Sequence, residues 1–238
     1  KEKKTQVTTN EKGELQVYVS PKDTKKFKAN GVVHYSDFGA RGDGKTDDID
    51  AIAGTHVFAN QHHLLVKADD GAAYYIGGKE RTVNIQTDTD FGKANFIIDD
   101  TQVQNRNASV FMVASGMRPF KPEGIASLKR NQEKLNITLP GTCLISVTNS
   151  NVKHYIRFGL NQDNGAPQTD IFVVDKNGNV DMNAPIIWDF NQITDITALP
   201  IDDKPLKITG GRFTTIANNA ESKYTYYSRN LEIKRSNV

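Results

Sequence analysis

Near the C-terminus, Arg212, Tyr227 and Arg229 are the side chains whose types and spacing best suit ligand binding. A guanidinium offers a planar fork of donors to a carboxylate or sulfate, and a phenol ring offers a flat apolar face for stacking. Arg212 follows the close-turning pair Gly210 and Gly211, and Arg229 lies beyond the polar stretch 218–228, which carries Tyr224, Tyr226 and Tyr227. The competing arrangement has both arginines bridging surface carboxylates such as Glu221 and Glu232. Trp188, the single tryptophan, is a further ring available for stacking.

Other chemistry-bearing residues read as architecture. Cys143 sits in an apolar run with no His or Asn constellation tied to it, and reads as a small buried hydrophobe rather than a nucleophile. His56, His62 and His63 straddle a helix end without a carboxylate at ligand spacing, so they read as a solvated surface group. Asp175, Asn177, Asn179 and Asp181 alternate like a calcium loop, but Gly178 stands at the fourth position rather than the sixth and Ile186 occupies the twelfth; a tight turn is expected. Asp99-Asp100 and Asp202-Asp203 are adjacent pairs whose members face opposite sides of a strand, which suits turn ends rather than a catalytic dyad. No metal site and no cofactor are expected.

Composition narrows the partners. The chain has 238 residues, 37% of them hydrophobic, and 30 Lys plus Arg against 28 Asp plus Glu, a net charge of only +2. Dense phosphate contact needs a larger basic excess, so nucleic acid is not an expected partner. No apolar stretch approaches membrane-spanning length, and the basic start Lys1-Glu-Lys-Lys is not followed by an apolar segment. A soluble chain, or a mature form already processed, is expected.

The elements that must position these residues are mostly short strands. β-branched and aromatic runs at 16–19, 73–76, 83–85, 95–98, 109–113, 171–174, 206–208 and 231–233 alternate with Gly, Asn and Asp punctuation. The first 30 residues are strongly charged and read as a peripheral arm contributing one strand. One helix is expected over 48–60: Asp47 can cap it, and Ile49, Ile52, Ala53 and Val57 fall on one face. Gly54 in its middle costs about 1 kcal/mol relative to Ala, so packing must hold it.

The run Val33-His-Tyr-Ser-Asp-Phe-Gly-Ala-Arg-Gly-Asp-Gly-Lys-Thr-Asp-Asp-Ile-Asp-Ala-Ile resembles the N-terminal signature of the pectate-lyase-like superfamily, the pectate lyase, polygalacturonase-like and tailspike group. The resemblance implies an all-β fold, a right-handed parallel β-helix with an N-terminal capping α-helix, here interrupted by a β-rich insertion. The cap would cover the exposed strand edges and apolar interior of the first coil. The expected division is 1–30 arm, 31–104 cap and first coils, 105–205 insertion or elaborated coils, and 206–238 further coils. Leu206 and Leu231, 25 residues apart, would open successive coils, placing Arg212, Tyr227 and Arg229 side by side on one flank. Leu231, Ile233 and Val238 follow the coil pattern with no polar cap after them, so a longer parent or self-association through this end is expected.

The same resemblance implies a secreted, cell-surface or periplasmic bacterial protein acting on polysaccharide, as a lyase or glycoside hydrolase. The alternative is a non-catalytic carbohydrate-binding or attachment module. The expected partner is a polysaccharide or oligosaccharide, acidic if the two arginines converge. The Gly-His-Gly and Arg-Ile-Lys motifs of polygalacturonase-like relatives do not occur, which argues against an inherited hydrolase activity.

Overall fold

The computed structural model describes residues 4–105, 107–155, 165–218 and 229–238, which divide into two compact units: Lys1–Ser115 with Lys204–Val238, and Gly116–Asp203. The first unit opens with the strands β1 (Gln6–Thr9) and β2 (Leu15–Tyr18), an antiparallel hairpin. Helix α1 (Pro21–Asn30) follows. Its signals are local: Ser20 caps the start by accepting from the Asp23 amide, Pro21 opens the first turn, and Gly31 ends the helix at φ 70°. The arm, expected to contribute one strand, contains a hairpin and a helix.

Strand β3 (Val32–His34), a 3₁₀ turn (Tyr35–Phe38) and β4 (Asp43–Asp47) lead into α2 (Ile49–His62). This is the helix expected over 48–60, with Asp48 rather than Asp47 at its N-cap position. Asp48 does not cap the helix with its side chain; its carboxylate accepts from the Arg41 and Gly42 amides and holds the preceding loop. Ile49, Ile52, Ala53, Phe58 and Ala59 are buried beneath the helix. Gly54 is explained by packing: a Cβ there would collide with the Val7 side chain of the hairpin.

The unit continues through β5 (Leu65–Lys67), β6 (Ala73–Ile76), β7 (Val83–Ile85), β8 (Thr89–Asp90), β9 (Asn95–Asp99) and β10 (Phe111–Ala114). The second unit is built on β11 (Cys143–Tyr155), β12 (Ala166–Val174) and β13 (Asp195–Pro200), after which β14 (Ile208–Thr209), β15 (Arg212–Ile216) and β16 (Leu231–Lys234) return to the first.

The expected single parallel β-helix is not the architecture. Among the described residues the strands form five separate sheets of mixed orientation, accompanied by two helices: parallel β14-β8-β5-β3, β15-β9-β6-β4 and β16-β10-β7, antiparallel β12-β11-β13, and the β1-β2 hairpin. The physical reason is that short β-branched runs specify extended backbone but not partner or direction. The supposed repeat illustrates this. The strand after Leu206 pairs with β8 whereas Leu231 opens a strand paired with β10, so the two are not equivalent coils.

Alternate residues of the parallel strands point inward and meet in register. Tyr74, Phe96 and Phe213 align across β6, β9 and β15. Phe96 lies 5.1 Å from both neighbours and 5.4 Å from Phe111, ring centre to ring centre, forming an aromatic core. The second unit has its own core, including Cys143, Ile145, Val147, Phe172, Val174, Ile186 and Phe190. Cys143 is buried, and desolvation raises its thiol pKa, consistent with an inert packing residue.

Candidate functional site

The features that favour a ligand lie in the first unit, where β9 ends. Strand alternation turns Ile98 inward and Asp99 outward, where it accepts from Tyr75 Oη at 2.6 Å and from the Thr101 hydroxyl and amide. Against the desolvation of its site, those hydrogen bonds hold Asp99 below the ordinary carboxylate range. The next carboxylate, Asp100, is 4% exposed and meets Arg229, also 4% exposed, in an ion pair of 2.8 Å. Arg229 Nη1 also donates to the Asp99 carbonyl and Nη2 to the Gly77 carbonyl. Its backbone is fixed as well, because the Val110 and Phe111 amides donate to the carbonyls of Arg229 and Asn230. Arg229 Nε, though buried, has no hydrogen-bond partner among the described residues.

Arg229 and Asp100 line a cavity of about 350 Å³ with Ile98, Asn107, Ser109, Thr215, Asn230, Leu231 and Glu232. Ser109 Oγ donates to Glu232 Oε2 at 2.8 Å, and Lys234 Nζ pairs with Glu232 Oε1 at 3.0 Å. The hydrogen bonds from Lys234 and Ser109 hold the Glu232 pKa down. Glu232 is therefore an ionised acceptor at neutral pH rather than a proton donor. The cavity combines acceptors, donors and two apolar side chains, a mixture suited to a molecule rich in hydroxyl groups.

Arg212 and Arg229, proposed from the sequence to converge, are held apart. Arg212 pairs in register with Asn95, and Arg229 lies against Asp99 and Asp100, four to five residues further along. Four residues of strand span about 13 Å. Arg212 is exposed, and Tyr227 lies outside the described residues. The partner of Arg229 that the sequence did not single out as such is Asp100, a buried ion-pair member; 129 residues separate Asp100 from Arg229 and leave no local signal.

Of the three histidines expected at the surface, His63 is exposed and His56 is not. His56 is fully buried, with Nε2 2.9 Å from Tyr35 Oη, and burial drives its pKa down to about 3. His62 packs on the Phe58 ring at 4.5 Å, and His63 ends α2 in the left-handed region. Among the described residues no three His, Cys, Asp or Glu side chains converge as a metal site. The Asp175–Asn179 segment is a tight turn in which Asp175 Oδ1 accepts from the Asn177 and Asn179 amides.

In the second unit, Trp188 is 41% exposed and its ring centre lies 4.4 Å from that of His154, edge on at 76°. No helix among the described residues is long and apolar enough to cross a membrane.

No family model and no curated protein matches the chain, so the pectate-lyase-like resemblance of residues 33–52 has no family match behind it. Among solved structures, the crystal structure of the Pseudomonas phage phi297 tailspike gp61 aligns with a TM-score of 0.47 and 12% identity, over 77% of this chain and 34% of that one. The chain spans about a third of the tailspike's length, and a likeness this loose carries no argument.

Proposed function

We propose that this chain is a saccharide-binding module whose first unit takes a neutral, hydroxyl-rich ligand into the Arg229 cavity. The observation that carries the reading is the cavity beside the buried Arg229–Asp100 pair, whose wall presents hydroxyl, amide and carboxylate groups. A sugar hydroxyl is suited to this arrangement because it can donate to Glu232 and exchange hydrogen bonds with the exposed Thr215 and Asn230 side chains of the lining. A neutral sugar fits better than the acidic one expected from the sequence. Asp100 already neutralises Arg229, so that guanidinium is not free to pair with a uronate carboxylate.

Binding is favoured over catalysis because Asp100 is tied to Arg229, and Glu232 is held ionised by Lys234 and Ser109. Neither is poised as the protonated acid a glycosidase needs. An extracellular or cell-surface setting, where polysaccharides are met, belongs to the same reading.

The test is retention on immobilised neutral and acidic polysaccharides, with assays for new reducing ends and unsaturated products. Retention by neutral matrices without product is expected, weakened in Thr215→Val and Asn230→Ala, which alter exposed cavity walls. Absence of retention on every matrix, or release of product, overturns the proposal.

A further inference from the structure

We infer that the second unit carries a separate saccharide contact, in which Trp188 is a fixed stacking platform for the apolar face of a neutral pyranose. This rests on the saccharide-binding reading but uses different residues. A tryptophan normally brings most of its large surface into a core, so an indole 41% exposed is already unusual. The backbone around it is not loose. The Ile186 carbonyl accepts from the Asn131 amide, and the Ile187 amide donates to Asp170 Oδ2 at 2.8 Å. The Asp189 carbonyl accepts from Gln168 Nε2 at 3.0 Å, while its side chain accepts from the Arg130 amide. Phe190 exchanges both backbone hydrogen bonds with Leu128.

Asp170 and Gln168 are only 7% and 5% exposed. Two buried polar side chains thus hold the residues immediately before and after Trp188, while Ile186 and Phe190 anchor the segment in the core. Burying polar groups is costly unless their hydrogen bonds are made. Here those bonds fix the backbone that carries a solvent-facing ring, a preorganisation that lowers the ordering cost of binding.

The identity of the ligand follows from the neighbour. The His154 imidazole meets Trp188 at 4.4 Å and 76°, an edge-on contact that occupies at most one indole face. An open aromatic face accepts the C–H groups of a pyranose, and the adjacent imidazole supplies a donor or acceptor for a hydroxyl. An aliphatic protein side chain would leave that imidazole group unanswered. Ile187, 48% exposed, enlarges the apolar floor beside the ring.

The single tryptophan makes the test direct, because emission excited selectively at tryptophan, beyond the absorption of the tyrosines, reports position 188 alone. The wild-type chain, Trp188→Ala, Trp188→Phe, and the cavity variant Asn230→Ala are titrated with neutral hexaoses of glucose, mannose, galactose and N-acetylglucosamine. A saturable change in wild-type emission is expected, persisting in Asn230→Ala. Trp188→Ala should weaken retention on the matching matrix about tenfold, the order of one good aromatic contact, and Trp188→Phe should recover part of it. Retention that depends on Asn230 while emission stays constant and Trp188→Ala behaves as wild type overturns this inference and leaves the cavity reading standing. An emission response with wild-type retention in Asn230→Ala supports Trp188 and removes the cavity. Emission that shifts with protein concentration alone marks an apolar self-association face and overturns the platform, as does absence of any saccharide response.

Discussion

In the first unit, a buried ion pair joins segments distant in sequence: Arg229 meets Asp100 across 129 residues. In the second, Asp170 and Gln168 hold the backbone beside Trp188, 17 and 21 residues away in the chain. The first arrangement closes a core around a cavity. The second presents a ring to solvent. The contrast follows from strand pairing. Parallel neighbours cannot be joined by a tight turn, so β9 finds β15 from far along the chain, whereas β11 pairs with the next strand, β12, antiparallel. Long-range closure leaves Arg229 and Asp100 dependent on each other, and a charge without its partner is costly in such a site.

The largest expected effect tests that dependence. Arg229→Ala strands the buried Asp100 carboxylate and should cost about 3–5 kcal/mol in urea unfolding, while Arg229→Met with Asp100→Leu should recover most of it. If the double variant is as unstable as the single one, the ion pair has a role beyond compensating its own burial.

Backbone crowding provides a matched pair across the units. A Cβ at Gly210 would lie 2.5 Å from the Gly92 carbonyl oxygen, and one at Gly178 would overlap the Leu135 carbonyl oxygen; both glycines have positive φ. Gly210→Ala and Gly178→Ala should each lose about 2 kcal/mol or more, since left-handed strain alone costs about 1–2. Little change in one of them would show that its unit yields where the other does not.

A pH series isolates His56. Its folded pKa of about 3 lies below the ordinary 6.5, so the unfolded chain binds the extra proton between those values. Stability from this group is present above pH 6.5 and falls toward pH 3, by up to about 1.4 kcal/mol per pH unit. Asp48, whose pKa is raised by burial against two backbone hydrogen bonds, acts in the opposite direction. The difference between wild type and His56→Gln, followed by urea unfolding from pH 7.5 to 4.5, removes that contribution. A difference independent of pH would contradict a histidine buried neutral.

The smallest effect is expected at Arg212. Exposed and distant along β15 from Arg229, it should change stability by less than about 0.5 kcal/mol when replaced by Ala, with saccharide retention unchanged. A loss of retention would restore it to the binding surface.

Short-range interactions were legible where neighbours in the chain determine them. Ile49, Ile52 and Ala53 mark the buried face of α2, although Val57, expected on the same face, is 50% exposed, and Asp175 with Gly178 marks a turn, because helical spacing and side-chain to backbone bonds act within a few residues. The start and stop of α1 were equally local, in Ser20, Pro21 and Gly31, but dense charge made the segment read as an arm. Gly54 showed only its cost; Val7, which requires it, lies in another element.

By itself, then, the amino-acid sequence determined α2, the Asp175 turn and the extended character of many short runs, since each depends on contacts within one turn or one strand. The tertiary structure decided which strands pair and in which direction, that Arg229 meets Asp100 instead of Arg212, that His56 is enclosed, and that Trp188 faces out. The physical reason is common to all four: a strand's backbone bonds accept any partner, and a side chain's burial is settled by the element that arrives against it.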